Sequence, residues 1–166
     1  MTTTTSPPLA LYVHWPFCRA KCPYCDFNSH VAQEIDETRF AAAYEREMRH
    51  MAENYGHGRN IVSIFFGGGT PSLMSPTLLN HIIETADRLF GFADAIEITA
   101  EANPTSAEAV VFEGFRMAGV NRVSLGVQSL DDAALAFLGR EHSAAEALGA
   151  VEVAVSYTHL TLPTKA

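Results

Sequence analysis

Ile61 to Phe66 is an apolar run of strand length, interrupted only by Ser63. A strand that is apolar on both faces belongs inside a parallel sheet, and parallel neighbours need a crossover long enough to hold a helix. The rest of the chain alternates accordingly. Leu11 to Trp15 reads as a first strand, rich in β-formers and stopped by Pro16. From about Asp36 to Met51, Phe40, Tyr44, Met48 and Met51 recur at helical spacing. After Ile61–Phe66, Ser75-Pro76 supplies an N-cap hydroxyl and a proline at the first helical position, which predicts a helix to about Phe90. Ala95 to Ala100 is a third strand. Ser106 to Ala118, stopped by Gly119, is a third helix. Arg122 to Val127 is a fourth strand, Asp131 to Leu138 a short helix, and Ser143 with Glu146 a capping box that opens another. Such an order predicts an α/β fold with a parallel sheet and right-handed crossovers.

The 166 residues suffice for one core, and the formal charge of −8 argues against nucleic acid or an anionic membrane surface as the main partner. No apolar run approaches the roughly 18 residues of a membrane span. Residues 1–8 are Thr- and Pro-rich, lack the pattern of a signal peptide, and read as a disordered lead. Residues 9–154 read as one domain. At Val155 the helical period is lost, and 155–166 resembles the translated readthrough of a transposase-type sequencing adapter. This stretch is treated as a foreign tail on a truncated gene. On that reading the fourth strand is an unpaired edge, and the chain is expected to be weakly stable and prone to aggregate.

Only three cysteines occur, Cys18, Cys22 and Cys25, directly after the first strand. An odd number so closely spaced does not suit a disulfide framework; it suits a metal site in a reducing cytoplasm. Two metal readings stand. A zinc site wants a fourth ligand, which His14 or His30 would supply as Cys3His. A [4Fe–4S] cluster held by three thiolates leaves one iron open.

Other residues carry weaker signals. Gly67-Gly68-Gly69 at the end of the second strand lets backbone approach a ligand, or is simply a tight turn. Glu101 ends the third strand, where a carboxylate can accept ribose hydroxyls, or merely sit in solvent. Gln128 follows the fourth strand and can donate and accept. Arg140 can clamp a carboxylate, or be a surface charge. Tyr12 on the first strand reads as a core aromatic, and Tyr24, between two cysteines, as a shield or a ligand contact. His142 reads as an ordinary polar residue, and Met48, Met51 and Met117 as core.

Cys-x-x-x-Cys-x-x-Cys after a first strand resembles the signature of the radical-SAM superfamily. Leu11 to Cys18, Cys22 to His30, Phe66 to Ser72, Glu101 to Pro104 and Asn121 to Ser129 resemble, in order, its coproporphyrinogen dehydrogenase-like branch. The likeness extends over roughly Leu9 to Ala154. The dehydrogenases carry a further cysteine two residues after the third ligand. Phe27 stands there instead, as in the radical-SAM haem chaperones. The resemblance implies a partial (β/α) barrel, truncated after about four β-α units. It implies a [4Fe–4S] cluster on Cys18, Cys22 and Cys25, whose open iron takes the amino and carboxylate groups of S-adenosylmethionine (SAM). SAM contacts then fall on Tyr12, Tyr24, Gly68, Gly69, Thr70, Glu101, Gln128 and Arg140. Haem or a porphyrin is the implied cargo, with haem-acceptor proteins, soluble or membrane-associated, and an electron donor as partners, in the cytoplasm. The alternatives are an oxygen-independent coproporphyrinogen III dehydrogenase of porphyrin biosynthesis and a zinc-stabilised binding module.

Overall fold

The computed structural model describes residues 6–105, 111–157 and 159–161. Its centre is a parallel sheet built from strands in chain order: β1 (Leu9–Trp15), β4 (Ile61–Gly68), β5 (Phe92–Ala102), β6 (Arg122–Leu125) and β7 (His159–Thr161). Every pairing between them is parallel. The connections carry α1 (Glu37–Tyr55), α2 (Pro76–Phe90), α3 (Phe112–Met117), α4 (Asp132–Phe137) and α5 (Ala144–Tyr157). Two short strands, β2 (Phe17–Cys18) and β3 (His30–Val31), form a separate parallel pair. An α/β sheet that advances strand by strand in chain order is the expected partial (β/α) barrel.

One sheet face carries the core. Val13, Trp15, Ile64, Phe66, Ile98, Ala100, Val123 and Leu125 alternate along four strands and are buried against α2 residues Leu78, Leu79, Ile82 and Ile83 and α3 residues Phe112 and Phe115. Each large apolar side chain removed from water this way contributes about 1.5–3 kcal/mol. The opposite face holds Tyr12, Phe65, Glu97, Thr99, Glu101, Arg122 and Ser124 at the alternate positions. There Tyr12 stacks on Phe65 with ring centroids 6.1 Å apart, and Arg122 pairs with Glu97 at 2.6 Å.

Local signals place the helix starts. Asp36 caps α1 by accepting the Arg39 N–H at 3.0 Å, and Ser75 caps α2 by accepting the Leu78 N–H at 3.1 Å. Glu37 joins the two helices by accepting the Ser75 N–H at 2.8 Å and its hydroxyl. The capping box of α5 is complete: the Glu146 N–H donates to Ser143 Oγ and the Ser143 N–H to Glu146 Oε2. Of the helix expected over Ser106 to Ala118, residues 106–110 lie outside the described residues, and the remainder is α3.

Three expectations need correction. The fourth strand stops at Leu125 rather than Val127, because Gly126 to Ser129 turn away toward α4. Helix α5 does not end at Ala154 but runs to Tyr157, and β7 then pairs with Arg122 to Ser124, so the edge of β6 is covered. Ala150 and Ala154 are fully packed on the core, and neither Gly nor Pro follows to stop the helix. Of the methionines read as core, only Met48 is buried; Met51 is 43% and Met117 82% exposed. Phe112 and Phe115 occupy the inner face of the short α3, and Met117, two positions on, points away from it.

Candidate functional site

The carboxyl ends of β4, β5 and β6 converge beside the cysteine loop, the end of a parallel barrel where ligands bind. The loop closes on itself. It leaves β1 at Pro16, and the His30 N–H returns to the Pro16 carbonyl at 2.7 Å. The His14 ring bonds the Asn28 carbonyl through Nε2 at 3.0 Å. From α1, the Tyr44 hydroxyl donates to the His14 carbonyl at 2.6 Å, and burial pushes this phenol up to about 12. Within the loop the Cys25 N–H donates to the Cys22 carbonyl at 3.0 Å, closing a turn between the two. Cys18 is buried, Cys22 and Cys25 are half-buried, and all three are free thiols.

The glycine run is fastened to this loop. The Gly69 N–H donates to the Trp15 carbonyl at 2.6 Å and the Thr70 N–H to the Phe17 carbonyl at 2.8 Å. A Cβ on Gly69 would lie 2.5 Å from the Phe17 carbonyl oxygen. Gly68 has φ +114, and a Cβ there would meet the His14 ring at 2.6 Å. The run is therefore required by close approach of two backbones, which an ordinary tight turn would not need.

One cavity collects the predicted residues. Cys18, Cys22, Cys25 and Tyr24 line it from the loop, and Gly68, Gly69 and Thr70 from the end of β4. Glu101, Gln128 and Arg140 line the far side. Tyr12 does not line it. It stands beside it on the open sheet face, 57% exposed, with its hydroxyl 3.4 Å from His14 Nδ1. Glu101 accepts the Gly68 N–H at 3.2 Å. Burial holds its carboxyl above the ordinary range, partly offset by that bond. Burial also raises the Tyr12 phenol, with the nearby Glu101 charge adding to it. Gln128 adopts φ +68, a left-handed conformation that a non-glycine residue holds only where its surroundings enforce it.

Arg140 is heavily engaged, with four hydrogen bonds among the described residues. Its Nη1 donates to Cys22 Sγ and to the Tyr24 oxygen, both at 3.3 Å. Its Nη2 donates to Asn103 Oδ1 at 2.7 Å and to the Gly126 carbonyl at 2.8 Å. Its Nε is buried without a partner among the described residues. A ligand carboxylate reaching Nη1 or Nη2 must therefore displace one of these contacts. Sequence reasoning missed Asn103 and His142. His142 is 5% exposed, lines the cavity and bonds the Val127 carbonyl through a ring nitrogen at 3.0 Å, next to the strained Gln128. For Asn103 a signal existed: an amide at the carboxyl end of a strand, directly before Pro104, which keeps its backbone extended.

Neither His14 nor His30 lines the cavity; His14 is turned to Asn28, and His30 is exposed on β3. Among the described residues no three His, Cys, Asp or Glu side chains gather on a single ion position. The three thiols line one cavity, and three thiolates are the donor set of a cluster with one iron unligated by protein. A model of the radical-SAM superfamily matches residues 12–161. The chain belongs to the radical-SAM superfamily. Membership implies a [4Fe–4S] cluster and SAM, and the soft thiol donor set and the glycine-lined approach fit both. The chain is 43% identical over 152 residues to the haem chaperone HemW of Haemophilus influenzae, covering 89% of this chain and 40% of that protein. It is 46% identical over 146 residues to the mouse mitochondrial radical S-adenosyl methionine domain-containing protein 1, covering 87% of this chain and 33% of that one. The structure of the Escherichia coli coproporphyrinogen III oxidase HemN, a radical-SAM enzyme, superposes with a TM-score of 0.84 at 27% identity, covering 97% of this chain and 38% of that one. The chain thus spans about two fifths or less of these proteins. Among the described residues no helix is long and apolar enough to cross a membrane.

Proposed function

We propose that this chain is the cluster- and SAM-binding part of a haem chaperone. The observation that carries the reading is the single cavity shared by Cys18, Cys22 and Cys25 with the strand ends of the sheet. Cys18, Cys22 and Cys25 would hold the cluster, and three protein thiolates would leave it able to bind SAM. The bound cofactors supply one-electron chemistry at the SAM sulfonium. The protein's own residues bind and orient. Gly68, Gly69 and Thr70 would offer backbone and hydroxyl groups to the amino-acid end, Glu101 would accept the ribose hydroxyls, and Tyr24 and Gln128 would complete the contacts, with Tyr12 beside the cavity rather than in its lining. Arg140 reaches from the strand ends across to the loop cysteines and would meet the ligand there. Phe27, 61% exposed on the cavity wall, supports the chaperone over the coproporphyrinogen dehydrogenase, whose extra cysteine it replaces. Haem as cargo, its acceptor proteins, an electron donor and a cytoplasmic setting belong to this reading.

Anaerobic reconstitution with iron and sulfide tests the cluster. About four of each per chain is expected; stoichiometric zinc without iron would sink the reading. Haem transfer is tested on the gene carried to the length of its relatives: hemin binding without porphyrinogen turnover is expected, and turnover would favour the dehydrogenase. Glu101 gives a pH dependence. Its pKa is raised, so it protonates at higher pH than an ordinary carboxylate. SAM affinity should fall on acidification, starting above the usual carboxylate range, as the ionised acceptor is lost. Glu101→Gln should weaken SAM by about tenfold or more at neutral pH, the scale of a hydrogen bond to a charged group, and flatten the pH profile, read by equilibrium dialysis.

A further inference from the structure

Asn103 Oδ1 makes the shortest of the four hydrogen bonds to the Arg140 guanidinium, at 2.7 Å, and the opposite nitrogen of that guanidinium points at Cys22 Sγ. We infer that Asn103 is a positioning residue that holds Arg140 against the Cys22 sulfur and thereby raises the reduction potential of the cluster; this rests on the loop carrying a [4Fe–4S] cluster. An arginine left to itself samples many rotamers, and fixing it takes rigid acceptors. The Gly126 carbonyl is one, at 2.8 Å. Asn103 is the other: Pro104 keeps its backbone extended, and its amide nitrogen reaches Thr70 Oγ1 at 3.5 Å, across the cavity mouth. So placed, Arg140 brings both an N–H and a full positive charge to a ligand sulfur. Each favours the reduced, more negative cluster, because hydrogen bonds to the sulfurs and net charge set the potential.

The choice of amide over carboxylate follows from the same physics. An aspartate at position 103 would grip the guanidinium more tightly, but its charge would cancel the one Arg140 presents to the cluster. An asparagine fixes the cation without adding a negative charge beside it. Tyr24 is held by the same Nη1, so the loop turn between Cys22 and Cys25 is tied to the ends of β5 and β6 through this one side chain.

The experiment is an anaerobic redox titration of the reconstituted chain, without SAM, read by the electron paramagnetic resonance of the reduced cluster. Arg140→Gln should lower the midpoint potential. Asn103→Ala should lower it as well, with iron and sulfide content unchanged. The double variant should match Arg140→Gln alone, because Asn103 acts only through Arg140. Asn103→Ser, an uncharged side chain too short to reach the guanidinium, should also fall and stands in if Asn103→Ala does not load. An unchanged potential in Asn103→Ala or in Arg140→Gln overturns the inference, as do additive shifts in the double variant. So does failure of both Asn103 variants to load a cluster that Arg140→Gln loads, which would make Asn103 a purely structural residue. If the unsubstituted chain takes up no iron and sulfide, the cluster reading itself has failed, a result distinct from every one of these.

Discussion

Replacing Cys22 by serine is expected to empty the site: iron and sulfide after anaerobic reconstitution should fall at least tenfold below the unsubstituted chain, with the brown colour lost. The thiolate is the soft ligand that iron–sulfur clusters require, and an alkoxide is a hard and poorly ionised replacement. Losing an outer-sphere partner of a metal ligand costs on the order of 10–100-fold in affinity, so losing a direct ligand sets a larger effect. Cys18→Ser and Cys25→Ser should match it, since all three thiols line the same cavity. Ser29→Ala is the contrasting variant. Its hydroxyl lies 3.9 Å from Cys25 Sγ, a weak contact whose removal should leave cluster content within about twofold of normal, on the scale of one modest hydrogen bond or less. Zinc uptake undiminished by Cys22→Ser would contradict the shared site. The folded chain should survive these changes, because the core of Trp15, Phe66, Ile82 and Phe115 lies on the helix-covered face of the sheet and the loop adds to it chiefly through Phe17, which these variants keep.

What could be read from the residues alone follows the range of the forces involved. The start of helix α2 was legible because its signals are local: the Ser75 cap and Pro76. The strands were legible because Ile61–Phe66 is a nearly unbroken apolar run and its neighbours are rich in β-formers; that their second face carries Glu97, Thr99, Glu101, Arg122 and Ser124 shows a sheet with one face packed by helices. The three cysteines were legible because their spacing is itself the signal. The arrangement around them was not. Strands β2 and β3 are two residues each and exist because Pro16 and His30 meet across the closed loop. Gln128 takes a conformation usually left to glycine, and His142 is buried beside it; neither fact has a trace in local sequence. Arg140 looked like a residue free to clamp a ligand, yet four acceptors from distant segments already hold it. Contacts between segments more than a hundred residues apart, such as Arg140 with Cys22, are set by the closing of the sheet. Chain order near either residue cannot supply them.

Gly69→Ala and Gly149→Ala make the same chemical change with opposite expected results, and the comparison isolates what the glycine run does. In α5, a Cβ on Gly149 meets nothing within 4 Å. Alanine there should stabilise the chain by about 0.8–1.0 kcal/mol through helix propensity and leave cluster content unchanged. At Gly69 the added Cβ would lie 2.5 Å from the Phe17 carbonyl oxygen and 2.9 Å from its carbon, backbone atoms with no rotamer to escape into. Relief requires β2 to move away from the end of β4, stretching the bonds from the Gly69 and Thr70 N–H groups to the Trp15 and Phe17 carbonyls. Overpacking of this kind costs about 1–3 kcal/mol, and at about 2–4 °C per kcal/mol for a chain of this size the melting temperature should fall by several degrees. The larger effect is on the site. Cys18 follows Phe17 directly on β2, so any shift that frees the Cβ carries the first thiol out of register with Cys22 and Cys25. Cluster content should drop severalfold more in Gly69→Ala than the loss of stability accounts for, measured as iron per folded chain. If Gly69→Ala melts lower but loads a full cluster, the glycine run serves packing alone; if it loads poorly while Gly149→Ala loads fully, the run sets the position of the first thiol.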